Sequence, residues 1–198
     1  MMKKLFICLL LSTPVFAQHD MHQMNHMHHD ASKNIFISQM DAMMMNMDTV
    51  KQTNVAEPDF LNLMIPHHQG AVEMALYEVA HGRNKEIIQL AKSIIAEQQI
   101  EIKMMQQLLL SAYSTPPNEI KTAWDATMYT MMKDMPATNE LKDTDMAFAK
   151  VMMPHHRAGI DMAKVILKYG KDHAVKRIAE NIISSQQVEI EQMKHYIK

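Results

Sequence analysis

Met152-Met153-Pro154-His155-His156-Arg157-Ala158-Gly159-Ile160-Asp161-Met162-Ala163 repeats an earlier stretch, Met64-Ile65-Pro66-His67-His68 with Met74-Ala75, 88 positions upstream. The same offset, without a gap, pairs Met40, Met43, Met44 and Met47 with Met128, Met131, Met132 and Met135. It also pairs Gln98-Gln99 and Glu101-Ile102 with Gln186-Gln187 and Glu189-Ile190, and Met105 with Met193. Thioether, imidazole and one carboxylate thus recur at equivalent places while most other positions differ. The chain reads as a duplicated unit with pseudo-two-fold symmetry.

Working outward, the apolar positions fall at helical rather than alternating spacing, only 4 glycines are present, and no credible strand can be read. The fold class is all-α. Helices are expected over about 34–53, 59–81, 84–113, 118–135, 144–169 and 171–197, giving two tandem three-helix repeats, about 34–113 and 118–198, in one domain. Asp59 is placed as the cap of the second helix, with Pro66 either kinking it or opening its longer section. Gly82 and Gly170 close the two long motif-bearing helices, and Ser114-Thr115-Pro116-Pro117 is the linker. Roughly 180 residues suffice for one compact domain burying about 70% of its unfolded surface.

The N-terminus reads differently. Lys3 and Lys4, an apolar run to Leu11 and the small-residue ending Val15-Phe16-Ala17 describe a signal peptide over residues 1–17, too short to span a bilayer. Export implies a periplasmic or secreted protein. The single cysteine, Cys8, lies inside that segment, which removes thiolate chemistry from the mature chain. Loss of Lys3 and Lys4 moves the formal net charge from −2 to −4, and no basic cluster invites nucleic acid. Residues 18–33 carry His19, Met21, His22, Met24, His26, Met27, His28 and His29 with few aliphatics. Their composition predicts a disordered, metal-collecting tail.

Side-chain directions sharpen the site. At about 100° per residue, Met40, Met43, Met44 and Met47 share one helix face, while Met45 and its charged counterpart Lys133 face water. Met64, His67, His68 and Met74 span an arc of about 120°, whereas Glu73 and Asp161 point away toward solvent. Gln98 and Glu101 sit in the apolar stripe of the returning helix, where an ionised carboxylate needs a partner. Antiparallel pairing about Gly82 sets His67 beside Gln98 and Met64 beside Glu101; His68 and Glu101 then differ by about four residues, roughly 6 Å along the axis, within reach of long side chains. The second hairpin repeats this with His155, Gln186, Met152 and Glu189. Glu101 and Glu189 either ligate directly or orient an imidazole through its second nitrogen, the latter preferred. His81, His173 and His195 have no histidine counterpart and are read as surface residues.

A methionine stripe is ordinarily plain core. Here 23 methionines are used where leucine has better-defined rotamers, and the stripe recurs in the second copy, so metal contact is the better account. Thioether with imidazole suits Cu(I), and imidazole alone suits Cu(II). The expectation is a copper-binding protein that holds Cu(I) in the bundle and captures Cu(II) at the tail. Metal ions are its ligands, and another periplasmic copper protein or an efflux component is its candidate partner. Neither nucleic acid nor a membrane span enters. Catalysis is not required; the alternative is a dimetal redox enzyme, whose centres use Glu-x-x-His motifs in pairs on two helices, a pair this chain does not have, and a Met-rich interaction module is a third reading.

These motifs resemble the family catalogued as domain of unknown function 305, marked by Met-x-Pro-His-His, a following Met-Ala and a later Gln-Gln-x-Glu-Ile segment. The resemblance covers both units, about residues 34–197. It implies a ferritin-like helical bundle, and its CopM-like members are exported copper-binding proteins linked to copper resistance. By position it implies ligand roles for Met64, His67, His68, Met74, Met152, His155, His156 and Met162, with Gln98, Glu101, Met105, Gln186, Glu189 and Met193 beside them. Many members lack so rich a His/Met tail, and that part of the reading stands on this sequence alone.

Overall fold

The computed structural model describes residues 33–113 and 120–197, so the signal peptide, His19, His22, His26, His28, His29 and the Ser114–Pro117 linker lie outside the described residues. Six α-helices form: α1 (Ile35–Asp48), α2 (Ala56–His81), α3 (Lys85–Leu108), α4 (Lys121–Lys133), α5 (Thr144–Tyr169) and α6 (His173–Tyr196). No strand is present among the described residues. α2 and α5 have the same length and begin 88 positions apart, and so do α3 and α6. The duplication seen in the motifs therefore extends to the helix ends.

Local chemistry sets those ends. Asn84 accepts from the backbone N–H groups of Glu86 and Ile87, and its counterpart Asp172 accepts from Ala174 and Val175, each satisfying amides that the first turn of a helix leaves bare. α2 starts one turn earlier than expected, because Asp59 does not cap it. The Asp59 carboxylate instead reaches back to the N–H groups of Thr53 and Asn54, tying down a loop in which Asn54 takes φ 62°. Pro66 sits within continuous helix. Gly82 and Gly170 do follow α2 and α5, but in extended backbone with φ −65° and −72°, not as left-handed caps. They are required for space: a Cβ on Gly82 would lie 2.7 Å from the Glu78 carbonyl oxygen, and one on Gly170 would lie 2.8 Å from that of Ile166.

α2 and α3 pack as one hairpin, α5 and α6 as another, and the hairpins join through α2 against α5 and α3 against α6. α1 lies on α2, and α4 on α5. The hairpins are fastened by a reciprocal pair of buried carboxylates. Asp145, at the start of α5, accepts from the N–H groups of Arg83 and Asn84 in the α2–α3 turn. Glu57, at the start of α2, accepts from Lys171 and Asp172 in the α5–α6 turn. All six residues are related by the 88-residue offset. The contacts put the C-terminal end of α2 at the N-terminal end of α5, so these central helices run antiparallel. The acids were missed in the sequence because Glu and Asp match in charge but not in identity.

Candidate metal centre

His67 and His155, equivalent residues, are in contact: their rings stack with centroids 3.8 Å apart and planes inclined by 29°. Contact between residues related by the 88-residue offset is what a two-fold arrangement of the halves would produce, and it falls where α2 packs on α5. Beyond each ring stands its sequence neighbour, with His68 6.2 Å from His67 and His156 5.9 Å from His155. The four imidazoles thus form a row across the waist of the bundle. A carboxylate stands at each end, with Glu101 Oε2 2.7 Å from His68 Nε2 and Glu189 Oε2 2.8 Å from His156 Nε2. The second contact is as close as the first but lies off the ideal hydrogen-bond line, so His156 Nε2 has no aligned partner.

All four rings are fully buried. Burial, followed by the neighbouring histidines, holds the pKa of His67 and His155 well below 6.5, so both are neutral near pH 7. Tautomers follow from the partner each nitrogen faces. His155 Nε2 donates to the His67 carbonyl at 3.1 Å, and His68 Nε2 donates to Glu101. A neutral ring that donates through Nε2 presents a lone pair at Nδ1. Nδ1 of all four histidines, Nε2 of His67 and His156, and both side-chain polar atoms of Gln98 and Gln186 are buried without a hydrogen-bond partner. Unpaired buried polar atoms cost about 1–3 kcal/mol each; a set this dense fits a ligand that the imidazoles would hold through Nδ1.

The surrounding donors are soft. Met64, Met74, Met105, Met152, Met162 and Met193 are all fully buried. Met64 precedes His68 by four residues and Met152 likewise precedes His156, which sets thioether and imidazole one helical turn apart on the same face. Among the described residues, no three His, Cys, Asp or Glu side chains form a group that could hold a metal ion.

The stripes on α1 and α4 divide. Met40, Met43, Met47 and Met131 are core, with Met43 filling the space that Gly70 leaves on α2. Met44, Met47, Met128 and Met132 line a cleft of about 650 Å³ that also includes Met162 and Trp124. Met132 does not face inward as its stripe position predicts: it is 36% exposed at the cleft rim. Met135 is partly buried against the core, and Met45 is 70% exposed. His81, His173 and His195 are exposed. Asp161 is solvated beside Lys164, but Glu73 is half-buried, and that burial raises its pKa.

One buried acid has no place in the site. Glu78 is fully buried against Asp145, neither of its oxygens has a well-aligned partner, and burial followed by the neighbouring Asp145 carboxyl pushes its pKa up to about 8. Its counterpart in the second half is the buried Ile166.

The protein is, by class, an all-helical bundle that buries histidines among methionines. The chain belongs to the family described as domain of unknown function (DUF305), whose model matches it twice, over residues 11–109 and 112–197. Its fold is similar to that of CopM in the Ag-bound form, at 26% identity and a TM-score of 0.55, covering 71% of this chain and 93% of that one. CopM in the Cu(I)-bound form matches at 29% identity and 0.53, covering 71% and 94%. A DUF305 protein from Streptomyces coelicolor matches at 27% and 0.54, covering 72% and 90%. No curated protein sequence matches the chain.

Proposed function

We propose that this protein is an exported copper-binding protein that sequesters or transfers Cu(I) and so contributes to copper tolerance. The observation that carries the reading is the set of unpartnered, buried Nδ1 atoms amid buried thioethers, repeated in both halves of the chain. CopM, similar in fold, is known in Cu(I)-bound, Cu(II)-bound and Ag-bound forms. His68 and His156 are the principal imidazole ligands through Nδ1, with Met64 and Met152 one turn away. Glu101 and Glu189 orient the rings and raise their basicity rather than ligating. The methionine cleft between α1 and α4 is a second, more accessible soft-donor surface, and the tail collects Cu(II) through imidazole. Two three-helix units folded as a ferritin-like bundle, behind residues 1–17 as a signal peptide, complete the reading. Delivery, in this account, is to another periplasmic copper protein or an efflux component.

Titration with Cu(I) against a competing chelator, on the mature chain and on one lacking residues 18–33, tests it. Tight Cu(I) binding is expected to survive removal of the tail. Complete loss with the tail would make the core motif structural, and oxygen consumption on adding Fe(II) would favour the dimetal enzyme.

A further inference from the structure

The imidazole row is sealed from solvent, so an ion that reaches it needs a path, and the structure offers an asymmetric one. Between α3 and α6 lies a cleft of about 360 Å³ lined by Ser93, Glu97, Asn181, Ser185 and Glu189. At roughly 30 Å³ per water molecule it has room for an ion still carrying a hydration shell. Leu90 and Val188 form part of its wall, and the rest presents hydroxyl, amide and carboxylate oxygens, the donors that can replace coordinated water stepwise.

Glu189 joins the cleft to the row. Only 5% of it is exposed; one oxygen lies 2.8 Å from His156 Nε2, and the other, Oε1, is buried with no partner. Glu97 stands on α3, exposed, and close enough to Glu189 and Glu101 for their charges to act on it. Symmetry is broken here, because the residue equivalent to Glu97 is Ser185. Both residues line this one cleft, which therefore takes a carboxylate from the first half of the chain and a hydroxyl from the second.

Resting on the copper reading above, we infer that this oxygen-lined cleft is the entry port for a hydrated cation. Glu97 attracts the ion at the mouth, and the bare Oε1 of Glu189 receives it at the floor before it passes to the nitrogen and sulfur donors. The occupant is a small soft cation such as Cu(I) or Ag(I), arriving hydrated and leaving its water among the oxygens.

The test is the uptake rate of Ag(I) by the intact mature chain, measured by stopped flow with a fluorescent free-ion indicator, for the unsubstituted protein, E97Q and D125N. Asp125 lines the methionine cleft on the other side and carries the same charge, so D125N controls for net charge and probes the rival entrance. The port predicts roughly threefold slower uptake in E97Q, a share of the 10- to 1,000-fold that a charged cleft supplies. E97Q should slow uptake more than D125N does and leave the number of ions bound unchanged, and the difference between the two should shrink at about 1 M salt, where screening acts within about 3 Å. Equal slowing in both variants would reduce the effect to overall charge and overturn the port. Slowing in D125N alone would move entry to the methionine cleft, and equal rates in all three would likewise overturn it. A mature chain that takes up no Ag(I) would remove the copper reading itself, a result distinct from any of these.

Discussion

Replacing Glu101 by glutamine separates a ligand from a positioning group. The carboxylate sits 2.7 Å from His68 Nε2, beside a ring with no exposure to water. Glutamine keeps an acceptor oxygen but loses the charge. A hydrogen bond to a charged group contributes about 1.5–3 kcal/mol and a neutral one about 0.5–1.5, so the substitution removes about 1–1.5 kcal/mol of support for the imidazole. That converts to roughly a tenfold loss of Cu(I) affinity, within the range of about 10- to 100-fold typical of groups behind a metal ligand. The loss should fall on one class of sites only, because His156 keeps Glu189. Competition titration of the intact chain against a chromophoric Cu(I) chelator reads this directly, since the tail is common to both proteins. Alanine at 101 should cost more, toward a hundredfold. Disappearance of one whole equivalent in both variants would make Glu101 a direct ligand. Unchanged affinity with intact helicity would refute the assignment of Nδ1 as the donor.

The apo protein should lose stability in mild acid. His67 and His155 have folded pKa values below their unfolded 6.5, so below about pH 6.5 the unfolded chain binds more protons. Stability then falls by up to about 1.4 kcal/mol per pH unit for each, until their folded values are reached; flat urea midpoints from pH 7 to 5 would contradict this. Glu78 works in the opposite sense. With a folded pKa of about 8 against 4.5, it favours the folded state below pH 4.5 and loses that contribution as pH rises toward 8. Glu78→Ile, which gives the first half the apolar side chain that Ile166 supplies in the second, should raise stability at pH 8 by about 1–3 kcal/mol and remove this alkaline decline, both visible in urea titrations at pH 6 and 8. Gly170→Ala should lower the thermal midpoint through a cost of about 1–3 kcal/mol, because the new methyl meets a backbone oxygen that cannot withdraw; an unchanged midpoint would show that the turn can move.

Much of this was legible in the sequence, and what was not has physical causes. Period and repetition give the helices, and α5 begins and ends at the residues expected, since Asp143, accepting from the Met146 N–H, and Gly170 mark it on both sides. α1 ends five residues short of expectation, because the segment after Asp48 is drawn into the loop fixed by Asp59. The His68–Glu101 contact could be reached from hairpin arithmetic alone, as both residues lie on one hairpin. The stacking of His67 on His155 could not, because it depends on how two hairpins meet, and no local pattern encodes the crossing of α2 and α5. Glu57 and Asp145 were hidden twice over: they match in charge but not in identity, and each completes a turn in the other half.

That exchange of carboxylates has an evolutionary corollary. A chain carrying a single copy of the unit would make a hairpin whose turn amides lack their acceptor, and whose own acid lacks its donors. A second molecule, placed across a dyad, would supply both deficits at once. Fusion of two such molecules into one polypeptide would preserve the fastening while freeing each half to change separately, as Ser185 opposite Glu97 and Ile166 opposite Glu78 already record.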